Sequence, residues 1–202
     1  EAYKAFLQAT GHSVIEAAGA CWFPIAPRFL MSFPFDRELD SEEVARSVIL
    51  RQHALGARFL CREGQGSASW KIVCETKSYD IGHLSANTRS KVRRGLKSFD
   101  IRPLSQSELE LGGVKLNRET LLRQGRKLGS GFDAYWNRYF SAVAKAESVD
   151  VWGAITGGGL AAYCVAFRMD DVSHLLLLRS SEQHLGQYVN NALVFCYLRH
   201  AL

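Results

Sequence analysis

The C-terminal stretch from Val149 to Leu202 restricts the fold more than any other part of the chain. It runs Val149-Asp-Val-Trp-Gly-Ala-Ile-Thr156, then three glycines, then Leu160-Ala-Ala-Tyr-Cys-Val-Ala-Phe-Arg168. Two β-rich runs around a glycine cluster predict a hairpin. A turn at Asp170-Asp171 leads into Ser173-His-Leu-Leu-Leu-Leu-Arg179, so the three runs predict an antiparallel meander. Leu175 to Leu178 is unbroken apolar sequence, the pattern of a strand covered on both faces. Ser180 to Leu202 reads as a loop feeding a long apolar helix. A strand, a short loop and a helix N-terminus in succession commonly form an anion site, because the first N–H groups of the helix lack partners within it.

The length of 202 residues fits one large α/β domain or two small ones, and 47% hydrophobic residues suffice for a core. A net charge of +5 and a pI near 9.0 suit anionic partners such as nucleotides, nucleic acid or phosphorylated substrates. They equally suit a merely solvated basic surface. No run reaches the roughly 18 apolar residues of a membrane span. Glu1 is followed by neither a basic segment nor an apolar one, so no secretory signal is expected. Cys21, Cys61, Cys74, Cys164 and Cys196 are widely spaced and lie mostly among apolar neighbours. They read as packing thiols of a reducing compartment, which predicts a cytoplasmic protein.

In chain order, residues 2–9 predict a short helix, and Ser13–Phe23 and Arg28–Phe33 two strands. Asp40 or Ser41 caps a helix with Glu42 and Glu43 in its first turn. Val44, Val48, Ile49 and Leu55 form its stripe, and Gly56 stops it. Arg58–Arg62 and Ser69–Glu75 flank a Gly-rich turn and predict a second hairpin, with Trp70, Ile72 and Cys74 alternating.

Ser85 then caps a helix carrying Arg89, Lys91, Arg93, Arg94 and Lys97 with no acidic residue among them. Leu84, Val92, Leu96 and Phe99 fall near one face, which predicts docking on a sheet. Like charges four apart destabilise a helix by roughly 0.2–0.5 kcal/mol per pair. Carboxylates from elsewhere in the fold would offset this, and so would an anionic ligand; a basic face that is simply solvated is the commoner case. Asp100–Leu104 predicts a short strand. Ser105–Leu111 predicts a brief helix with a Ser105/Glu108 capping box, and Arg118–Leu128 a separate one begun at Asn117. Phe132–Glu147 predicts a helix whose Tyr135, Trp136, Tyr139 and Phe140 read as core.

No His-Glu-x-x-His, phosphate-loop Gly-x-x-x-x-Gly-Lys or Gly-x-Ser-x-Gly motif occurs, and the histidines are scattered. Neither a metal site nor a hydrolytic triad is expected.

Thr88-Arg-Ser-Lys-Val-Arg-Arg-Gly-Leu-Lys97 followed by Asp100-Ile-Arg102 resembles the basic helix and strand of the GNAT superfamily of acyl-CoA N-acyltransferases, in its Fem-like and CelD-like branch. Trp152-Gly-Ala-Ile, Gly159-Leu-Ala-Ala-Tyr163, Arg179-Ser-Ser and Tyr188-Val-Asn-Asn-Ala-Leu193 follow in that family's order. The resemblance covers about residues 57–202. It implies an α/β (α+β) fold with a mixed, mostly antiparallel central sheet flanked by helices. It also implies a single domain over 1–202, with 1–56 as a degenerate N-terminal lobe and with further strands beyond the last helix. The activity it implies is N-acyl transfer to an amine, with acyl-CoA or aminoacyl-tRNA as co-substrate and no tightly bound cofactor.

Arg179, Ser180, Ser181, Tyr188, Asn190 and Asn191 are then the donor-side candidates, and Arg89, Arg93 and Arg94 the substrate or anion side. The family's pyrophosphate loop carries two glycines, whereas His184-Leu-Gly186-Gln-Tyr-Val has one. Aminoacyl-tRNA, the donor of the Fem-like branch, suits the basic helix, which implies an RNA contact. No side chain is marked as catalytic base, and a backbone N–H at the strand end would hold the oxyanion. A nucleic-acid-binding module without catalysis, and a non-catalytic protein-binding module on the same fold, are the rival expectations.

Overall fold

A computed structural model describes residues 1–62, 66–68, 72–169 and 171–202, and the chain divides into two compact units, Glu1–Val73 and Cys74–Leu202. In the first, α1 (Ala2–Ala9) turns Tyr3, Phe6 and Leu7 inward. β1 (Ile15–Ala17), β2 (Ala20–Ala26) and β3 (Phe29–Phe33) form an antiparallel meander. Asp40 caps α2 (Ser41–Val44) by accepting from the Glu43 N–H at 2.9 Å, and the helix continues as a π-helical stretch, Ala45–Leu50. It ends short of the expected Gly56. That glycine instead opens β4 (Gly56–Arg58), which pairs in parallel with β3. A Cβ on Gly56 would stand 2.7 Å from the Phe29 ring, so glycine lets the strand close up without moving that ring.

The expected hairpin after Arg58 is not formed by its described part. β4 pairs with β3 rather than with residues further on, and residues 72–75 lie in no strand. Its Glu63–Gln65 and Ser69–Lys71, and the Asp170 of the later turn, lie outside the described residues. Trp22, Leu39, Val44 and Val48 form this unit's core.

The second unit begins with a 3-10 turn at Ile81–His83 and then α3 (Ala86–Ser98), whose N-cap Ser85 accepts from the Thr88 N–H. β5 (Asp100–Pro103), α4 (Gln106–Arg123), α5 (Phe132–Lys145), β6 (Val149–Thr156), β7 (Gly159–Met169) and β8 (Val172–Ser180) follow. The four strands form one antiparallel sheet in the order β5-β6-β7-β8. Here β7, not β8, is the strand covered on both faces. Ala161 to Phe167 are all buried, while β8 is an edge and Leu175 is 45% exposed. The unbroken Leu run signals apolarity but not position in the sheet.

A 3-10 stretch, Glu182–Gln187, connects β8 to α6 (Val189–Ala201). α6 covers one face of the sheet, packing Val189, Leu193 and Tyr197 onto Ala154, Ala162, Cys164 and Ala166. The small side chains of β7 admit the helix closely, and burying a side chain such as Leu193 contributes about 1.5–3 kcal/mol. α4 and α5 cover the other face, where the Phe140 ring meets the Tyr163 ring edge-on at 6.1 Å.

α4 is one helix of 18 residues, not the two expected. Gly112-Gly113 resembles a break, but both glycines serve close packing. A Cβ on Gly113 would sit 2.6 Å from the Phe140 ring, and one on Gly112 would sit 2.7 Å from Leu160. Tertiary contact outweighs the roughly 1 kcal/mol propensity cost of each glycine.

Candidate functional site

The end of β8 and the start of α6 are bound together by a polar network that the chain assembles from four elements. Ser180 closes β8. Its N–H reaches Thr120 Oγ1 of α4 at 3.4 Å, and its carbonyl accepts from Thr120 Oγ1 at 3.3 Å and from Arg123 Nη1 at 3.2 Å. Its hydroxyl accepts from Asn190 Nδ2 of α6 at 3.2 Å. The next residue, Ser181, donates its N–H to the Ala161 carbonyl at 2.9 Å. The strand-end amides of Ser180 and Ser181 are therefore already engaged. The helix-end amides of Val189, Asn190 and Asn191 are the first-turn donors of α6, and no side chain caps them.

Arg179, one residue earlier, turns the opposite way. Its Nε donates to Asn117 Oδ1 at 3.1 Å, its Nη1 to the Leu178 carbonyl at 3.2 Å, and its guanidinium lies 5.9 Å from the Trp136 ring centre. Asn117 is fully buried, and its carbonyl also accepts from the Tyr163 hydroxyl at 2.7 Å. Burial raises the Tyr163 pKa well above its usual value, so this phenol stays protonated and donates.

The basic helix docks on α6, not on the sheet. Gly95 is the contact: a Cβ there would stand 2.7 Å from Ala192 Cβ and 2.9 Å from the Tyr188 carbonyl. Val92 and Phe99 are buried as expected, while Leu96 is 39% exposed because α6 is narrower than a sheet face. This docking places α3 beside the turn that starts α6. Tyr188 sits there in the left-handed region, with φ of 63°. Its ring receives the Arg94 guanidinium at 4.8 Å and the Lys91 ammonium at 5.9 Å, and its hydroxyl accepts from Arg94 Nη1 at 3.4 Å. Arg93 is exposed and Arg89 half-buried. Among the described residues, no carboxylate forms an ion pair with any cation of α3.

The nine candidates therefore fall into separate groups. Ser180, Ser181 and Asn190 meet at the strand end, and Arg94 and Tyr188 meet at the helix junction. Arg179 joins α4 and α5, while Asn191 and Arg93 are exposed and Arg89 half-buried, none with a described side-chain partner. Sequence reasoning missed Asn117, Thr120 and Arg123 as parts of the network. Their spacing of three on the helix expected from Asn117 places them near one face, but nothing local in the sequence shows that this face meets the end of β8.

A cleft of about 290 Å³ borders Ser181, Gln183 and His184, between α4 (Glu108, Lys115, Glu119) and the β6–β7 turn (Thr156 to Leu160). Cys164 does not serve as a nucleophile, because burial pushes its thiol up to about 12. Among the described residues no group of metal-ligating side chains is gathered, and no helix is long and apolar enough to cross a membrane.

No protein-family model and no curated protein matches the chain. Among solved structures it is similar to FemX, with a TM-score of 0.58 and 9% identity over 99% of this chain and 79% of that one. It is also similar to the C-terminal domain (DUF2156) of a protein described as a lysylphosphatidylglycerol synthetase from Agrobacterium fabrum. That match has a TM-score of 0.51 and 14% identity, over 100% of this chain and 70% of the other. At such identities the likeness speaks to architecture alone: the chain shares the fold of FemX and of that domain.

Proposed function

We propose that this protein is an N-acyltransferase that moves an acyl or aminoacyl group from an anionic carrier, acyl-CoA or aminoacyl-tRNA, to an amine. One observation carries the reading. The cations of α3 have no carboxylate partner among the described residues and lie beside the uncapped start of α6. Of the two offsets open to such a helix, internal carboxylates or an external anion, the second is the one this arrangement supports. Arg89, Arg93 and Arg94 hold the carrier's phosphates in this reading, and the first-turn amides of α6 supply the positive end of a helix dipole.

RNA is the favoured carrier. The Tyr188 ring, with Arg94 and Lys91 against it, fits stacking recognition of a splayed nucleotide better than it fits a glycine-lined pyrophosphate loop. The reacting carbonyl is placed at the cleft bordered by Ser181. The amine nitrogen attacks that carbonyl, the carrier oxygen or sulfur leaves with the electron pair, and the amine proton passes to solvent or to the leaving group. Ser180 and Ser181 N–H groups are engaged in the fold, so neither strand-end amide is left to hold the oxyanion. Orientation of two bound substrates supplies most of the rate, and no side-chain base is required.

The test is transfer of label from charged tRNA, and separately from acyl-CoAs of several lengths, to a panel of primary amines. Label reaching an amine only in the presence of the protein is the expected result. Binding of tRNA without transfer to any amine would support the rival, a nucleic-acid-binding module on the same fold. Binding of neither carrier would overturn both.

A further inference from the structure

Arg179 is a half-buried cation with no carboxylate in ion-pair reach among the described residues. Its Nε and Nη1 are turned inward to Asn117 and the Leu178 carbonyl. Its Nη2 has no partner among the described residues, and it is not among the buried unpartnered atoms, so it remains open to solvent. A buried charge is tolerated at a cost of several kcal/mol unless it finds a counter-charge. Burial lowers the Arg179 pKa. Arg123, in the last turn of α4, donates to the Ser180 carbonyl instead.

The surroundings nevertheless hold the guanidinium in one orientation. Asn117 Oδ1 faces two donors, Tyr163 Oη and Arg179 Nε, which fixes the amide the right way round and leaves Asn117 Nδ2 as a buried donor without a partner. The Trp136 ring supports the guanidinium on another side. Tying β8 to α4 does not require this cation, because Thr120 and Arg123 already hold the Ser180 backbone. An oriented, half-buried arginine with one free edge is built to take an anion.

We propose that Arg179, on the Trp136 platform, forms a binding site for a small carboxylate on the α4–α5 side of β8. A carboxylate suits it better than a phosphate dianion, since a single guanidinium carries one positive charge, which a carboxylate matches and a dianion exceeds. The site lies across the strand from the Asn190 contact. It rests on the proposed function in one respect only, that the bearer of the carboxylate is the amine acceptor; such an acceptor is an amino acid or a peptide end.

The experiment is thermal unfolding of the full chain with succinate, against sodium chloride of equal ionic strength and against uncharged succinamide. A ligand that binds only the folded chain raises its melting temperature in a saturable way. The expected result is such a rise with succinate alone, kept in Lys145→Gln and weakened at least about tenfold in apparent affinity in Arg179→Gln. A rise that persists undiminished in Arg179→Gln, or no rise in the unaltered chain, would overturn the site. Phosphate acting as strongly as succinate would overturn the choice of carboxylate. Should Arg179→Gln fail to fold, Arg179→Lys decides, with a loss of about threefold expected because the ammonium lacks the planar fork, and an unchanged response contradicting the proposal. Because succinate binding is read without any transfer reaction, its outcome is separate from that of the transfer assay.

Discussion

Arg102 and Arg179 occupy the two edge strands of one sheet and are held by opposite means. Arg102 on β5 lies 2.5 Å from Glu108 and 3.2 Å from Asp100, with a further bond to its neighbour's carbonyl. Its charge is neutralised within the fold, and Glu108 also closes the capping box of α4 with Ser105. Arg179 on β8 has an amide, a carbonyl and an indole around it but no carboxylate among the described residues. The cations of α3 share that second condition. The contrast separates arginines whose counter-charge lies in the chain from arginines with no counter-charge among the described residues. It does so without reference to how basic the protein is as a whole.

The largest effect is expected where the unpaired side is most buried. Asn117→Ala removes the acceptor of both Tyr163 Oη and Arg179 Nε, at roughly 1–3 kcal/mol for each buried donor left without one, or about 3 kcal/mol together. Urea denaturation reads this directly, and a loss under ~1 kcal/mol would show that Arg179 is not oriented by Asn117.

Gly95→Val tests the placement of α3 on α6. The added side chain meets Ala192 and the Tyr188 carbonyl, and overpacking of this kind costs typically 1–3 kcal/mol. The same variant is expected to lose anion binding, since α3 is pushed off the helix junction.

The paired side has a pH signature. Arg102, then Ser105, hold Glu108 at about 2, below its usual 4.5. As pH falls below about 4.5, the unfolded chain takes up a proton that the folded chain refuses until about 2, so stability falls across that window. Glu108→Gln is expected to flatten that part of the profile, as measured by unfolding at a series of pH values. An unchanged slope would remove the distinction between the two arginines. The smallest effect belongs to Tyr188→Ala, where lost cation–π contact at a partly exposed site amounts to roughly 0.5–1 kcal/mol. Circular dichroism melts are expected to move little, while affinity for single-stranded RNA is expected to fall.

Much of the second unit was legible in the sequence. The β6–β8 meander, the Ser85 and Ser105 caps and the apolar last helix follow from local patterns, because period-two alternation and capping chemistry act over a few residues. Other features were not legible because tertiary contacts decide them. Gly112-Gly113 reads as a break until Phe140 and Leu160 fill the space that a Cβ would take. Leu175 to Leu178 reads as a central strand, though the sheet ends there. At the site, the sequence groups Arg179 with Ser180, but successive residues of a strand point to opposite faces, which divides their roles. Tyr188 and Arg94 lie far apart in the sequence and meet only because Gly95 lets α3 approach α6.

The account turns on whether the unpaired cations of α3 receive an anion. The direct measurement is the affinity of the full chain for aminoacyl-tRNA across a range of salt concentrations, compared with Arg93→Glu. The account predicts that binding weakens steeply with salt, that the log–log slope is shallower in the variant by about one to two, and that the variant melts as the unaltered chain does. Binding whose affinity and salt slope are the same in Arg93→Glu, or no binding at low salt, would contradict it.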